Sequence, residues 1–156
     1  QTFIFNKHQA TPREEKNNVG YLMQDYAVTL ITNMLNARLN ELLQVANPPY
    51  IYATTYDDDF FVAKTKDAFT GIVVCKEDNI EEGISTILRE IERARQFGFT
   101  ETEYSRARAE YLRHLESAFQ ERDKRKNESY VKEYVRHFLD NEPFRESPTN
   151  ILSSIR

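Results

Sequence analysis

The chain has 156 residues, of which 40% are apolar and 29% are charged, and its formal net charge is −4. This length predicts one domain, and ten phenylalanines and nine tyrosines are enough to build its core. The slight excess of acidic residues argues against a nucleic-acid-binding protein, which usually carries a basic patch. A single cysteine, Cys75, excludes an internal disulfide and a cysteine-based zinc cluster.

The sequence shows no segment that would direct the chain to a membrane or out of the cell. No apolar run approaches the roughly 18 residues of a transmembrane helix, and no signal peptide is visible. The chain begins with Gln1, directly in a strand-like run. We therefore expect it to be a piece of a longer polypeptide, called the parent below, and the compartment of that parent stays open.

The first third of the chain predicts a short strand and a long helix. Residues 2–7 partly alternate in polarity, as a strand does, and His8–Lys16 has the composition of a polar loop. From Val19 to Ala46, apolar residues recur at helical spacing in a stripe wide enough to predict substantial burial. The segment Asn47-Pro48-Pro49 ends the helix, because proline cannot continue it.

Three strand candidates follow the prolines. They are rich in β-branched and aromatic residues and cover Tyr50–Tyr56, Phe60–Thr65 and Phe69–Lys76. Asp57-Asp58-Asp59 is predicted to turn the chain after the first of them, and Lys66-Asp67 to form a tight turn after the second. Because these connections are short, the sequence predicts an antiparallel meander.

A pair of helices is predicted between Asn79 and Asn127. Two apolar stripes at helical spacing meet at one break, where Gly98 can adopt the left-handed conformation that closes a helix. Thr100 then offers its hydroxyl to the next helix, and Glu103 stands three residues further on, which is the pattern of a capping box. The charge-dense segment near Asp123–Glu128 predicts a helix break or an exposed segment, and one more amphipathic helix follows it.

This order of elements predicts an α+β fold with an antiparallel sheet and helices packed on one face. Strands and helices are segregated along the chain rather than alternating. We expect residues 1–143 to form a single α+β domain, because Pro143 stops the last helix. Residues 144–156 are expected to be a tail or the start of the next domain.

No residue set in the sequence predicts catalysis by this chain. A helical zinc site needs two imidazoles one turn apart, and His8, His114 and His137 do not have that spacing. The aspartates at 57–59 are not followed by the glycine and glutamate of a calcium loop, which favours a solvated turn. Cys75 lies in an apolar strand without a basic neighbour and is interpreted as an inert thiol.

Three tyrosines at a spacing of two are the candidates for contact with a ligand. Tyr50, Tyr52 and Tyr56 are predicted to share one face of a strand. Packing in the core or against a neighbouring strand is the more common role of such a face, and a surface that contacts a peptide is the alternative. Tyr50 and Tyr52 are therefore weak candidates for substrate binding.

Several segments, taken together, resemble the pitrilysin/insulinase-type zinc metallopeptidases, the inverzincins. They include a leucine–asparagine–x–arginine–leucine pattern at residues 35–39 and a glycine–phenylalanine–threonine–x–x–glutamate junction at residues 98–103. Each motif alone is weak, and the order and spacing of all of them together carry the resemblance. The resemblance covers residues 20–143 and is greatest to the large four-domain bacterial members. The matching segments are Met34–Leu42, Pro49–Ala53, Glu90–Ala94, Gly98–Tyr104, Arg106–Arg108, Glu121–Lys124, Glu133–Leu139 and Glu142-Pro143.

This resemblance implies a repeated α+β unit, with two units in each half of the parent and the halves closing around a peptide. The family's zinc site, an inverted His-x-x-Glu-His with a downstream Glu, lies in the first unit and is not present in this sequence. The chain is therefore expected to be a non-catalytic unit, the second domain of the N-terminal half, with zinc bound elsewhere in the parent. In the family a later unit holds substrate with an Arg and a Tyr seven residues apart; if Tyr50 matches that Tyr, Leu43 stands at the Arg position.

The implied partners are the other domains of the parent and a peptide or unfolded protein as substrate. The compartment is unknown, and the bacterial periplasm or cell envelope is compatible with the resemblance. A different class of function stays open, in which the chain is a stand-alone interaction or assembly module of the same fold without peptidase activity. An unrelated α+β ligand-binding domain is a third alternative, and a closed apolar pocket would favour it.

Overall fold

A computed structural model describes residues 1–12, 15–16, 18–63, 65–121, 124 and 127–140. The chain divides into two compact units, unit 1 with Gln1–Ala10 and Tyr26–Ala107, and unit 2 with Thr11–Asp25 and Arg108–Arg156. The fold is α+β, as predicted. A short 3-10 helix at Glu77–Asn79 precedes α2. The numbered elements are β1 (Thr2–Gln9), α1 (Val19–Glu41), β2 (Tyr52–Asp59), β3 (Lys66–Val74), α2 (Ile80–Phe97), α3 (Glu101–Gln120) and α4 (Asn127–Asp140).

The three strands form one antiparallel sheet in the order β1-β3-β2, with β3 at the centre. β2 and β3 form a hairpin, and β1 pairs with the other side of β3. The register places Gly71 of β3 between Ile4 of β1 and Thr55 of β2. Because side chains alternate along a strand, these three residues share one face with their second neighbours.

The strand predicted over Phe60–Thr65 is wrong. The Phe60 N–H donates to the Lys66 carbonyl at 2.9 Å, and the Lys66 N–H donates to the Ala63 carbonyl at 3.1 Å. These bonds close the turn of the β2–β3 hairpin. The aromatic composition of this segment suits a strand, but its two phenylalanines pack in an aromatic cluster at the end of the sheet.

Two predicted turns and one predicted loop belong to strands instead. Asp57–Asp59 forms the end of β2, and Lys66-Asp67 begins β3. His8, predicted in a loop, lies in β1 because β3 starts early enough for Lys66 to pair with Gln9. The charged side chains do not end β2, since an edge strand can direct them to solvent while its backbone pairs.

The covered face of the sheet carries Ile4, Ala53, Thr55, Gly71 and Val73. Leu39 of α1 and Ile87 of α2 are fully buried against Ala53 and Val73, and this cluster forms the core of unit 1. Ile4, Leu42, Leu43, Cys75, Ile84 and Ile91 pack around it. Burial of these side chains provides the main stabilising free energy of unit 1.

Helix α1 begins one residue after a cap that the sequence analysis did not identify. The Asn18 side-chain oxygen accepts the N–H of Tyr21 at 2.8 Å, which satisfies one free donor of the first turn. The helix ends at Glu41, five residues before the predicted end at Ala46. The predicted burial holds for its second half, where Leu35 is buried, while Met23 in the first half is exposed.

Asn36 of α1 forms hydrogen bonds with the outer edge of β2. Its side-chain amide donates to the Thr55 carbonyl at 2.9 Å, and its oxygen accepts the Thr55 N–H at 2.7 Å and the Thr55 hydroxyl at 3.0 Å. One side chain thus takes both backbone groups that an adjacent strand would use. The backbone N–H and carbonyl of Thr55 at this edge are therefore hydrogen-bonded without a fourth strand.

The break between α2 and α3 has the predicted form. Gly98 has φ 68° and donates its N–H to the Ala94 carbonyl at 2.9 Å. The Glu103 N–H donates to the Thr100 hydroxyl at 3.3 Å, and the Thr100 N–H donates to the Glu103 carboxylate at 2.7 Å. These reciprocal bonds confirm the capping box.

Arg38 of α1 ties this junction to the rest of unit 1. Its guanidinium donates to both carboxylate oxygens of Glu103, at 2.5 and 3.0 Å, and to the Gly98 carbonyl at 3.0 Å. It also lies over the Phe99 ring, 4.6 Å from its centre. The hydrogen bonds from Arg38 lower the pKa of Glu103 to about 2, so the pair stays ionised over the physiological range.

Helix α4 confirms the last predicted helix, and most of the break predicted near Asp123–Glu128 lies outside the described residues. Its apolar side chains Tyr130, Val131, Tyr134, Val135 and Phe138 are exposed. Among the described residues, no helix is long and apolar enough to cross a membrane. The expected domain end at Pro143 lies outside the described residues.

Candidate functional site

The residues with metal-binding or nucleophilic chemistry lie on different elements. His8 is in β1, His114 is exposed on α3, and His137 is on α4. Cys75 follows β3 and packs against the core of unit 1 as a free thiol. Over the part of the chain that the structure describes, no three histidine, cysteine, aspartate or glutamate side chains are grouped to hold a metal ion.

Tyr50 belongs to the core rather than to a surface. It is only 2% exposed, and its hydroxyl donates to the Leu39 carbonyl at 2.7 Å. Burial raises the pKa of Tyr50 to about 12, which keeps the hydroxyl protonated as a donor. Leu43, seven residues earlier, packs against the same core. The predicted face shared by three tyrosines is therefore wrong for Tyr50.

Tyr52 and Tyr56 do share a face, and that face is exposed. Tyr52 is 49% exposed and Tyr56 is 40% exposed. The register places Tyr56 beside Thr70 of β3, and Thr70 beside Phe5 of β1. The face opposite the core thus carries aromatic side chains from both edge strands, and we call it the open face. Its aromatic residues are Phe3, Phe5, Tyr52, Tyr56, Phe60 and Phe61.

An aromatic cluster lies at one end of the open face. Phe5 and Phe3 are parallel, with ring centres 6.0 Å apart. Phe5 also contacts Phe60 edge-on at 5.4 Å and Phe61 at 5.8 Å. The Lys7 ammonium lies 5.4 Å from the centre of the Phe60 ring. These distances are typical of favourable ring–ring and cation–ring contacts, so the rings order one another.

The open face is suited to binding rather than to bond-breaking. Phe61 is 81% exposed and Phe3 is 48% exposed, and contiguous exposed apolar surface of this kind marks interaction sites. The alternation of strand side chains gives the face a repeat of two residues, which an extended peptide also has. Apolar side chains of such a peptide can pack on the rings, and no nucleophile–base pair is among the six aromatic residues that define the face.

Four of these residues could not be assigned to the open face from the sequence. Phe3 and Phe5 were assigned to a strand without a role, and Phe60 and Phe61 were assigned to a strand that does not form. A signal was present in the spacing of two that Phe3 and Phe5 share with Tyr52 and Tyr56. The partner across the sheet was needed to see that both pairs point to the same side.

Comparison with known proteins identifies the fold. No family model matches the chain, and no curated protein matches it. The crystal structure of the first half of the periplasmic protease PqqL from Escherichia coli matches with a TM-score of 0.74 over 98% of this chain. The chain has the fold of a part of PqqL.

The likeness is in structure far more than in sequence. The crystal structure of PqqL from Escherichia coli gives a TM-score of 0.75, again over 98% of this chain, and the sequence identity in both matches is 17%. The chain covers 31% of the first-half structure of PqqL and 16% of the longer one. An identity this low establishes the shared fold alone.

Proposed function

We propose that this chain is a non-catalytic domain of a zinc metallopeptidase of the pitrilysin/insulinase type. In this proposal the open face forms part of the wall around a peptide substrate. The observation that carries it is an exposed, ordered aromatic face on a fold shared with a part of the periplasmic protease PqqL. Peptide-bond hydrolysis would be the work of another domain of the parent.

The arrangement of two of the family-like motifs supports this proposal. Arg38 belongs to the pattern at residues 35–39, and Glu103 to the junction at residues 98–103. They lie 65 residues apart in sequence and bond directly in the fold. Asn36 of the first motif bonds the edge of β2. Both motifs therefore serve the frame that holds the sheet, which suits a scaffold domain.

The described residues do not fit a zinc site, so no step of hydrolysis is assigned to this chain. Three zinc ligands and an open position are needed for catalysis, and no such group is found within the described ranges. Zinc in the parent would act as a Lewis acid that activates water. Calorimetric titration of the chain with zinc tests the assignment, and tight stoichiometric binding would overturn it.

The role of the open face is tested with a labelled, unstructured peptide that has apolar residues at alternate positions. Replacing Phe61 by Ser should weaken peptide binding, measured by fluorescence anisotropy, by about three- to tenfold, since one ring contact is lost. Phe97→Ser is the matched control, because Phe97 on α2 is 80% exposed and Phe61 is 81% exposed. Equal effects of both substitutions would contradict the assignment of this face.

The parent reading frame distinguishes the peptidase domain from a stand-alone interaction module. An inverted His-x-x-Glu-His motif upstream in the same frame would support the peptidase. A frame without that motif, combined with peptide binding by the open face, would support the module.

A further inference from the structure

A polar cluster lies at the end of the sheet that holds the hairpin turn, on the side opposite the aromatic rings. His8 of β1 pairs in register with Asp67 of β3, and Asp67 pairs with Asp59 of β2. Asp57 lies two residues before Asp59 and so points to the same side. One imidazole thus stands among three carboxylates that come from two neighbouring strands.

The contact between His8 and Asp57 joins two strands that do not pair with each other. The His8 Nε2 and the Asp57 Oδ1 are 2.9 Å apart. Since β3 lies between β1 and β2, this contact crosses the full width of the sheet. The backbone ladder fixes each edge strand to β3, and the side-chain contact fixes the edge strands to one another.

We propose that His8 is a pH-sensitive clasp, which holds the end of β1 to β2 when its imidazole is protonated and weakens when the proton is lost. The protonated ring donates a charge-assisted hydrogen bond to Asp57 and also attracts the Asp67 carboxylate on the neighbouring strand. After deprotonation the imidazole no longer carries a positive charge, so its contact with the Asp57 carboxylate loses its ionic component. The inference does not depend on the proposed peptidase function.

The other charged strand residues near the cluster lie on the opposite side of the sheet from His8. The Lys66 ammonium of β3 donates a hydrogen bond to the Gln9 side-chain oxygen at 2.7 Å. Because side chains alternate along a strand, Lys7 and Asp58 also lie on the side of the sheet opposite His8. Histidine is the side chain whose charge ordinarily changes near neutral pH, and His8 is the histidine of this strand end.

The direction of the pH effect follows from the pairing. The hydrogen bond with Asp57 is the largest influence and raises the pKa of His8 above its ordinary value of 6.5. A raised pKa in the folded protein stabilises the fold fully below pH 6.5, and that contribution is lost as the pH rises through the folded value. The clasp is therefore closed in mildly acidic solution and opens toward alkaline pH.

The same strand ends hold the hairpin turn that carries Phe60 and Phe61. The Ala10 N–H donates to the Thr65 carbonyl at 3.3 Å, and the Phe60 N–H donates to the Lys66 carbonyl at 2.9 Å. Both bonds lie next to the His8–Asp57 contact. Opening of the clasp should loosen these bonds first and disturb the aromatic cluster on the other side.

Amide hydrogen exchange and imidazole titration of the full chain, both by NMR, test the proposal. After correction for intrinsic rates, exchange at Phe60 and Ala10 should be about two- to fivefold faster at about pH 8.5 than at about pH 5.5, as expected for one exposed ion pair. His8→Gln and Asp57→Asn should each remove this difference. Asp57→Asn should also lower the measured pKa of His8.

His114→Gln is the matched control, since His114 is an exposed histidine on α3, and it should leave the difference intact. If Asp57→Asn leaves the measured pKa of His8 unchanged, or if the exchange difference persists in His8→Gln, the clasp is overturned. Because both His8 and Asp57 lie at the surface end of the sheet, the variants are expected to fold, and a retained amide spectrum verifies it.

Discussion

The two faces of the sheet in unit 1 are built from the same three strands and differ in how far their large side chains are exposed. The covered face uses Ala53, Gly71 and Val73, which let α2 approach closely. The open face carries large rings such as Phe3 and Phe5, which remain partly exposed. Burial stabilises large rings most, so the placement of rings on the exposed side points to binding rather than to folding as their purpose.

The covered face should suffer the largest loss from a single substitution. Ile87→Ala removes a side chain that is fully buried and should lower the free energy of unfolding by about 3 kcal/mol, because a cavity is left in the core. Urea denaturation measures the change. A loss below about 1 kcal/mol would show that the core of unit 1 collapses around the gap, and the contrast between the faces would weaken.

A smaller loss is expected at the junction that frames the covered face. Arg38→Met keeps the length of the side chain and leaves the Glu103 carboxylate without its partner, while the guanidinium contacts with Gly98 and Phe99 also disappear. Glu103 is 25% exposed, so solvent screens part of the cost, and we expect a loss of about 2 kcal/mol in unfolding free energy.

Arg95→Met is the control for that substitution, since Arg95 is 71% exposed and pairs with Glu92 within α2 alone. It should change the unfolding free energy by less than about 0.5 kcal/mol. Similar losses in both variants would contradict the special role of Arg38.

Acid should weaken the same junction in a predictable window. The pKa of Glu103 is about 2 in the folded protein against an ordinary value of 4.5. A lowered pKa stabilises the fold above the unfolded value, so this stability is lost as the pH falls from about 4.5 toward 2. Thermal denaturation across this range should show a smaller acid-induced drop in Tm for Glu103→Gln than for the wild type, and an unchanged drop would refute the assignment.

The open face should give the smallest effect on stability. Phe61→Ser removes a ring that is 81% exposed, so the unfolding free energy should change by less than about 0.5 kcal/mol. The same urea series that reports on Ile87→Ala measures it. A loss as large as that of the core variant would mean that the ring cluster supports the fold, and the distinction between the two faces would fail.

Features decided by neighbours in sequence were predictable, and features decided by distant partners were not. Gly98, Thr100 and Glu103 act within a few residues, and the helix break was predicted with its capping box. Asn36 and Arg38 were noticed only as parts of a family-like pattern. Their roles depend on Thr55 and Glu103, which come together only in the fold.

The sheet shows the same division. Composition favoured a strand at residues 60–65 and a turn at Asp57–Asp59, and both were wrong because pairing with β3 decides where the hairpin turns. The α+β class itself followed from the order of elements. The open face required the register, which brings Phe5 of β1 and Tyr56 of β2 to the two sides of Thr70.

Asn36 has a consequence for how molecules of this chain can associate. In polymer chemistry, a unit with one reactive end can join a single neighbour, whereas a unit with two can form a chain without limit. By taking the N–H and the carbonyl of Thr55, Asn36 makes β2 a closed end at that level. Strand-by-strand growth into a ribbon needs two open edges on every copy. The Asn36 side chain therefore opposes the addition of a strand from a second molecule at this point of β2, and with it the growth of an open-ended ribbon of sheets.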